Sequence, residues 1–236
     1  MFKMLKDKEF LKKFFKISFP VMIHSLLLFI VGFVDNLMVS SISNEAVSAV
    51  YAVTQATYIL MIAAYGVIIG AGVFIQQFNG AKDEGSLKQA FCYKIIIMLI
   101  FMAIFITLYY IFGHHLVYFY CHSDANSATI YELGKDYLYL IILSYIPFCL
   151  SIIYTTTVRE VGHTKYALYA GVAALIANII LNAIFIYGFN MGVVGAALGT
   201  VAARIIELFV IVFISHKKKF SFCDNLFKTF KIEKDL

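Results

Sequence analysis

Asp35 is the residue of this chain best suited to chemistry. It stands in Gly32-Phe33-Val34-Asp35-Asn36-Leu37-Met38-Val39, a run that is otherwise almost wholly apolar. An ionisable group inside a hydrophobic span is costly, so it faces a cavity or a partner. A carboxylate kept from bulk water in this way can serve as a proton acceptor. The same residue at the edge of a span would merely be hydrated, and the sequence leaves both readings open. Asn178 and Asn182 sit mid-span at i, i+4, which puts both carboxamides on one helix face. There they either join helices or line a polar cavity, and joining is the simpler reading. Thr200 closes a small-residue run that begins at Gly192 and lets helix backbones approach closely. Arg204 and Glu207, at i, i+3, can neutralise each other as a structural ion pair, a more economical role than a relay.

Tyr51, Gln55 and Tyr58, with Gln76 and Gln77 further on, give the second apolar stretch a semi-polar character. Aromatic bodies with polar tips suit a wet cleft for amphipathic cations. With 16 Tyr and 23 Phe in the chain, packing and interfacial belts explain most of its aromatic residues. His114, His115, Cys121, His122 and Asp124 are expected in the loop after the third stretch, at spacings that match no metal-ligand pattern. Cys92, Cys121, Cys149 and Cys223 likewise show neither metal nor disulfide spacing. No glycine-rich nucleotide loop and no catalytic constellation is present, so the expectation is no resident metal or cofactor and no enzyme activity.

These residues must be positioned by long apolar elements. Hydrophobic residues make up 62% of the chain and charged residues 14%, too little charge to cover a soluble domain. Six stretches, near residues 14–41, 47–78, 90–112, 137–158, 167–187 and 192–214, each reach the ~20 residues that cross hydrocarbon as a helix. The first is too long for a cleaved signal peptide and reads as a retained helix. Pro20 and Pro147 fall inside spans, where lipid-embedded helices tolerate them. The net charge of +5 does not point to nucleic acid, because Lys and Arg collect at span ends rather than on one face. In a six-span chain, 17 of the 19 basic residues fall on one side. Only Lys135 lies opposite and Arg204 within a span, while Lys94 snorkels from the start of its helix. Such asymmetry places both termini in the cytoplasm. No convincing repeat relates spans one to three with spans four to six.

Several segments together resemble the multidrug and toxic compound extrusion (MATE) transporters. They are Pro20, the run from Val34 to Val39, Gln76-Gln77-Phe78-Asn79-Gly80-Ala81-Lys82-Asp83, Arg159-Glu160-Val161-Gly162-His163-Thr164, the Asn178/Asn182 pair, and the run from Gly192 to Arg204. In order and spacing they cover essentially the whole chain. The resemblance implies an all-α membrane protein whose six helices form the amino-terminal lobe of a MATE-type transporter of the MOP superfamily. Such transporters have twelve helices in two lobes around a central cleft, and export organic cations in exchange for H⁺ or Na⁺. By position, Asp35 takes the role of the coupling aspartate, with Asn178, Asn182 and Thr200 around it as the place for H⁺ or Na⁺. Pro20 matches a first-helix proline at which bending on protonation is proposed, and Tyr51, Gln55 and Tyr58 would border the substrate cleft. Some relatives carry an aspartate where Asn182 stands. With one carboxylate fewer, proton coupling is favoured over Na⁺.

The expected organisation is a cytoplasmic segment over residues 1–13, a six-helix lobe over 14–214, and a basic tail or inter-lobe linker over 215–236. The expected setting is the cytoplasmic (inner) membrane, with the bilayer, a small organic cation and a second six-helix lobe as partners, and no nucleic acid. That second lobe would come from further sequence or from a second copy. A lipid-linked precursor flippase is an alternative, but it calls for several cationic residues deep in the spans, where Arg204 alone is expected. A transport-incompetent product that needs a partner lobe is the other alternative.

Overall fold

A backbone crossing hydrocarbon must satisfy its own polar groups, so a chain this apolar folds as helices. The computed structural model describes residues 7–121 and 126–223. Six long helices follow one another up and down: α1 (Lys8–Ser40), α2 (Asn44–Ala81), α3 (Glu84–Cys121), α4 (Ser127–Glu160), α5 (Thr164–Asn182) and α6 (Gly192–Lys217). A π-helical segment, Ala183–Gly188, extends α5, and a short 3₁₀ turn, Ser221–Cys223, follows α6. All six are long and apolar enough to cross a membrane.

Polar side chains start the helices where the apolar runs begin. The Asp7 carboxylate accepts from the Glu9 and Phe10 N–H groups at 2.9 and 3.2 Å, and Ser43 Oγ accepts from Ala46 at 3.0 Å. Asp83 does the same for α3, accepting from Ser86 N–H at 3.1 Å and Ser86 Oγ–H at 2.6 Å. Such caps satisfy N–H groups that have no partner within the helix. The turn between α4 and α5 closes through Gly162, whose φ of 85° lets the His163 N–H reach back to Val158 O at 2.8 Å.

The helices run past the expected stretches, most of all α3, which continues to Cys121. His114, His115 and Cys121 therefore lie on a helix and not in a loop, because the apolar run resumes at Leu116 and carries the helix onward. His122 and Asp124 lie outside the described residues, as do Lys3, Lys6 and the tail lysines 228, 231 and 234. All four cysteines are buried. α1 passes through Pro20 as one helix.

Burial ranks the helices. In its most apolar window α4 is 61% buried, whereas the corresponding figure for α1 is 6%. α4 touches α2, α3, α5 and α6, while α1 rests mainly on α5. Two hydrophobic clusters fill the bundle. One, around Val53, Val117, Leu138 and Ala197, lies towards the α1–α2 connection. The other, around Ile68, Phe91, Ile153, Ile211 and Phe222, lies towards the opposite end, which carries the basic connections and is called the basic end below. Large apolar residues on α1, among them Phe19, Met22, Phe29 and Phe33, stay exposed. A chain in lipid or against a second lobe can leave such a face uncovered; one in water rarely does.

Candidate functional site

The polar centre of the bundle lies between α1, α5 and α6. Asp35 sits five residues before the end of α1 and is half-buried. Asn182 Nδ2 donates to its Oδ1 at 2.6 Å. Asn178, one turn away on the same face of α5, is fully buried beside the carboxylate. Neither Asn178 Oδ1 nor Asn178 Nδ2 meets a partner at hydrogen-bond geometry, and Asn182 Oδ1 is also unpartnered. Together the Asp35 carboxylate and the two amide oxygens offer the hard ligands that H⁺ or Na⁺ would use.

Two local features set this geometry. α5 changes from α to π winding immediately after Asn182, with Phe189 N–H reaching Ile184 O at 2.9 Å. Single π turns inside helices are frequent at functional sites because they re-aim the side chains beside them. Opposite Asn182, α6 presents Gly199, where a Cβ would collide with Asn182 Oδ1 and lie 3.0 Å from its Cγ. The absent side chain is what admits the carboxamide. Thr200, the next residue, spends its hydroxyl proton on Ala196 O at 3.0 Å, and no described contact joins it to Asp35.

Arg204 and Glu207 form the expected pair, Nη1 to Oε2 at 2.8 Å, in the interior of the bundle. Arg204 also lies over the Phe148 ring, 5.1 Å from its centroid. Tyr51 and Tyr58 are 60% and 49% exposed on the outer face of α2, so this lobe alone makes no cleft of them. Gln55 lies between them and is half-buried.

Lys94 departs from expectation. It does not snorkel: its side chain is 0% exposed, and its ammonium meets Glu160 Oε2 and Oε1 at 2.8 and 2.9 Å. Thr156 and Thr157 hydroxyls accept at 3.0 and 3.2 Å. Snorkelling requires a route to water, and α4 closes that route while offering a carboxylate instead. A second basic residue therefore lies deep in the bundle. Gly72 of α2 makes room for the pair, since a Cβ there would strike the Glu160 carboxylate.

Two further residues escaped sequence reasoning. His24, on the same face of α1 as Asp35 three turns away, is buried with both ring nitrogens unpartnered. It lines a chamber of about 10 Å³ with Tyr65, Ser151, Arg159 and Glu207, close to the space that one water needs. Tyr137 of α4 is buried within electrostatic reach of Asp35. The eleven-residue spacing from His24 to Asp35 was the one signal available. Among the described residues, no group of three His, Cys, Asp or Glu could hold a metal ion.

Comparison with known proteins gives these features a context. The family model described as MatE matches residues 20–184. The multidrug export protein MepA of Staphylococcus saprophyticus is 27% identical over 202 residues, covering 85% of this chain and 44% of that protein. MepA of Staphylococcus aureus is 28% identical over 206 residues, covering 83% and 43%. The chain thus spans about half the length of the curated relatives it matches. The fold matches the outward-facing structure of a multidrug resistance MATE family transporter of the MOP superfamily, with a TM-score of 0.82 and 21% identity. That match covers 95% of this chain and 49% of the other, so the bundle corresponds to one lobe.

Proposed function

The chain belongs to the MatE family, and from that premise we propose that it is one lobe of an antiporter that exports amphipathic organic cations in exchange for a coupling ion bound at Asp35. The observation that carries the reading is the Asp35 carboxylate in the α1–α5–α6 centre, held by Asn182 at 2.6 Å beside the buried carboxamide of Asn178. An N–H donor strengthens the charged carboxylate. Protonation would weaken that bond and free the Asn182 carboxamide, so the proton changes the contacts that fasten α1 to α5. A ligand shifts a conformational equilibrium only through such differential contacts.

H⁺ is the coupling ion favoured by one carboxylate among neutral amides. Na⁺ remains the second reading, supported by the amide oxygens of Asn178 and Asn182 beside the carboxylate, with Thr200 grouped there by the family resemblance alone. Pro20 removes one backbone hydrogen bond from α1 and provides the place for the helix to bend. The exposed ring faces of Tyr51 and Tyr58, with Gln55, would attract an organic cation once a second lobe supplies the opposing wall. Alternating access needs one repeat to move against another, so that wall comes from further sequence or from a second copy. The asymmetry of the basic residues supports cytoplasmic termini and insertion in the cytoplasmic membrane.

The test compares the chain with Asp35→Asn in proteoliposomes under an imposed pH gradient, reading ethidium flux alongside the mass of the reconstituted species. Proton-driven flux is expected to vanish in the variant. Equal flux in both would refute Asp35 as the coupling residue. No flux from either, in a preparation shown to be dimeric, would refute the two-copy arrangement.

A further inference from the structure

Apart from Asp35, the feature most suggestive of a ligand is a pocket at the basic end. It has a volume of about 380 Å³ and is lined by Asn79, His163, Tyr166, Lys218, Lys219 and Ser221, among others. No carboxylate is among its lining residues. Of the acids near it in sequence, Glu160 is committed to Lys94, Asp83 to Ser86 as the cap of α3, and Asp224 lies outside the described residues. The Ser86 bonds hold the Asp83 carboxyl below the ordinary value, so it stays charged but occupied.

The pocket is a product of tertiary structure. α6 ends at Lys217, and Lys219 takes up a left-handed conformation, φ 50°. The chain then doubles back: Lys219 N–H bonds His216 O at 3.1 Å and Phe220 N–H bonds Ser215 O at 3.3 Å. Phe220 thereby lies flat against the His163 ring, centroids 4.7 Å apart, and 5.6 Å from Tyr166. These aromatics make an apolar floor. Lys218 and Lys219 stand exposed at its rim. Lys165 lies over Tyr166, 5.0 Å from the ring centroid. The first turn of α5 opens on the same side, and its cap residue His163 contributes no side-chain hydrogen bond to it. N–H groups left open at a helix start attract an anion. Four independent features therefore converge: a polar cavity, lysines with no acid among the described lining residues, a helix start, and an apolar floor.

We propose that this pocket binds the phosphate headgroup of an anionic phospholipid. Its position at the end of six spans puts it at the depth of lipid headgroups. The lysines and the α5 N–H groups take the phosphate, while the Tyr166–Phe220 surface takes the first carbons of the acyl chains. The bound lipid joins the end of α6 to the start of α5, across which few covalent constraints act. The inference is independent of the transport reading.

Native mass spectrometry of the full chain, released from micelles with added phosphatidylglycerol or phosphatidylcholine, tests it. Phosphatidylglycerol is expected to stay bound in preference, and Lys218→Gln/Lys219→Gln to lower its retention by about fivefold per lysine. His163→Ala, which opens the floor without altering the lysines, is expected to lower it too. As a control, Lys8→Gln/Lys12→Gln removes two exposed basic residues elsewhere and should leave retention unchanged. Equal retention of the two lipids, or equal loss in the control pair, overturns the proposal. Displacement of phosphatidylglycerol by an equal concentration of inorganic phosphate would show a free-phosphate pocket and overturn the lipid assignment.

Discussion

Replacing Lys94 with Met should be among the most damaging single changes in the bundle. The ammonium is fully buried and makes four contacts between 2.8 and 3.2 Å, two of them to Glu160. Lys94→Met removes the cation but leaves a carboxylate only 9% exposed, wedged against Gly72. Breaking a buried pair by deleting one partner costs about 3–5 kcal/mol, because the remaining charge is uncompensated. Glu160→Met should cost a similar amount. The threonines soften the loss slightly, since Thr156 Oγ also bonds Ile152 O at 2.6 Å. Replacing both partners together removes both charges, and such exchanges are often neutral or stabilising. The double variant should therefore recover most of the loss, giving a coupling energy of about 3 kcal/mol or more. Reversible unfolding of the four proteins in mixed micelles measures the cycle. Single variants that each cost under about 1 kcal/mol, or a double variant whose loss equals the sum of the singles, would refute the reasoning.

Two further outcomes follow from local geometry. Gly199→Ala places a methyl where Asn182 Oδ1 now lies, so the carboxamide must turn from Asp35 at a cost of about 1–3 kcal/mol. A thermal midpoint unchanged by Gly199→Ala would contradict this, and Asn182→Ala should remove most of the penalty. Asp83 has its carboxyl held below the ordinary value by Ser86. The sign follows: the cap's stabilisation is fully present above the ordinary carboxylate pKa and is lost as pH falls through the depressed one. Protection of the Gly85 and Ser86 amides, measured against their intrinsic exchange rates, should fall at low pH in the unaltered chain. Asp83→Ala should show the low protection at every pH, equal to that of the unaltered chain once Asp83 is protonated, and a protection factor that still falls with pH in that variant would count against the cap.

The spans and the sidedness pattern were legible because both depend on composition along the chain. Hydrocarbon tolerates neither charge nor open backbone, so long apolar runs bounded by lysines mark helix after helix. The Asn178/Asn182 face was legible for the same reason: i, i+4 spacing is a property of one helix. The partnership of Asn182 with Asp35 was not, because it joins residues 147 positions apart. The resemblance supplied that grouping; the local pattern did not. Thr200 was grouped with them by the same resemblance, yet its hydroxyl is used within its own helix.

Lys94 shows the limit most sharply. By itself it is a basic residue near a helix start, which local reasoning sends to the surface. Its burial depends on Glu160, Thr156 and Thr157 arriving from α4 and on Gly72 leaving space in α2. His24 offered only its eleven-residue spacing from Asp35, since an isolated histidine in an apolar run carries no sign of what faces it. The sequence by itself determined that this is a membrane protein of six helices with Asp35 set in the apolar run of the first. The tertiary structure alone decided which charges meet, because a pair energy depends on distance and exclusion of water, and neither is a property of neighbours along the chain.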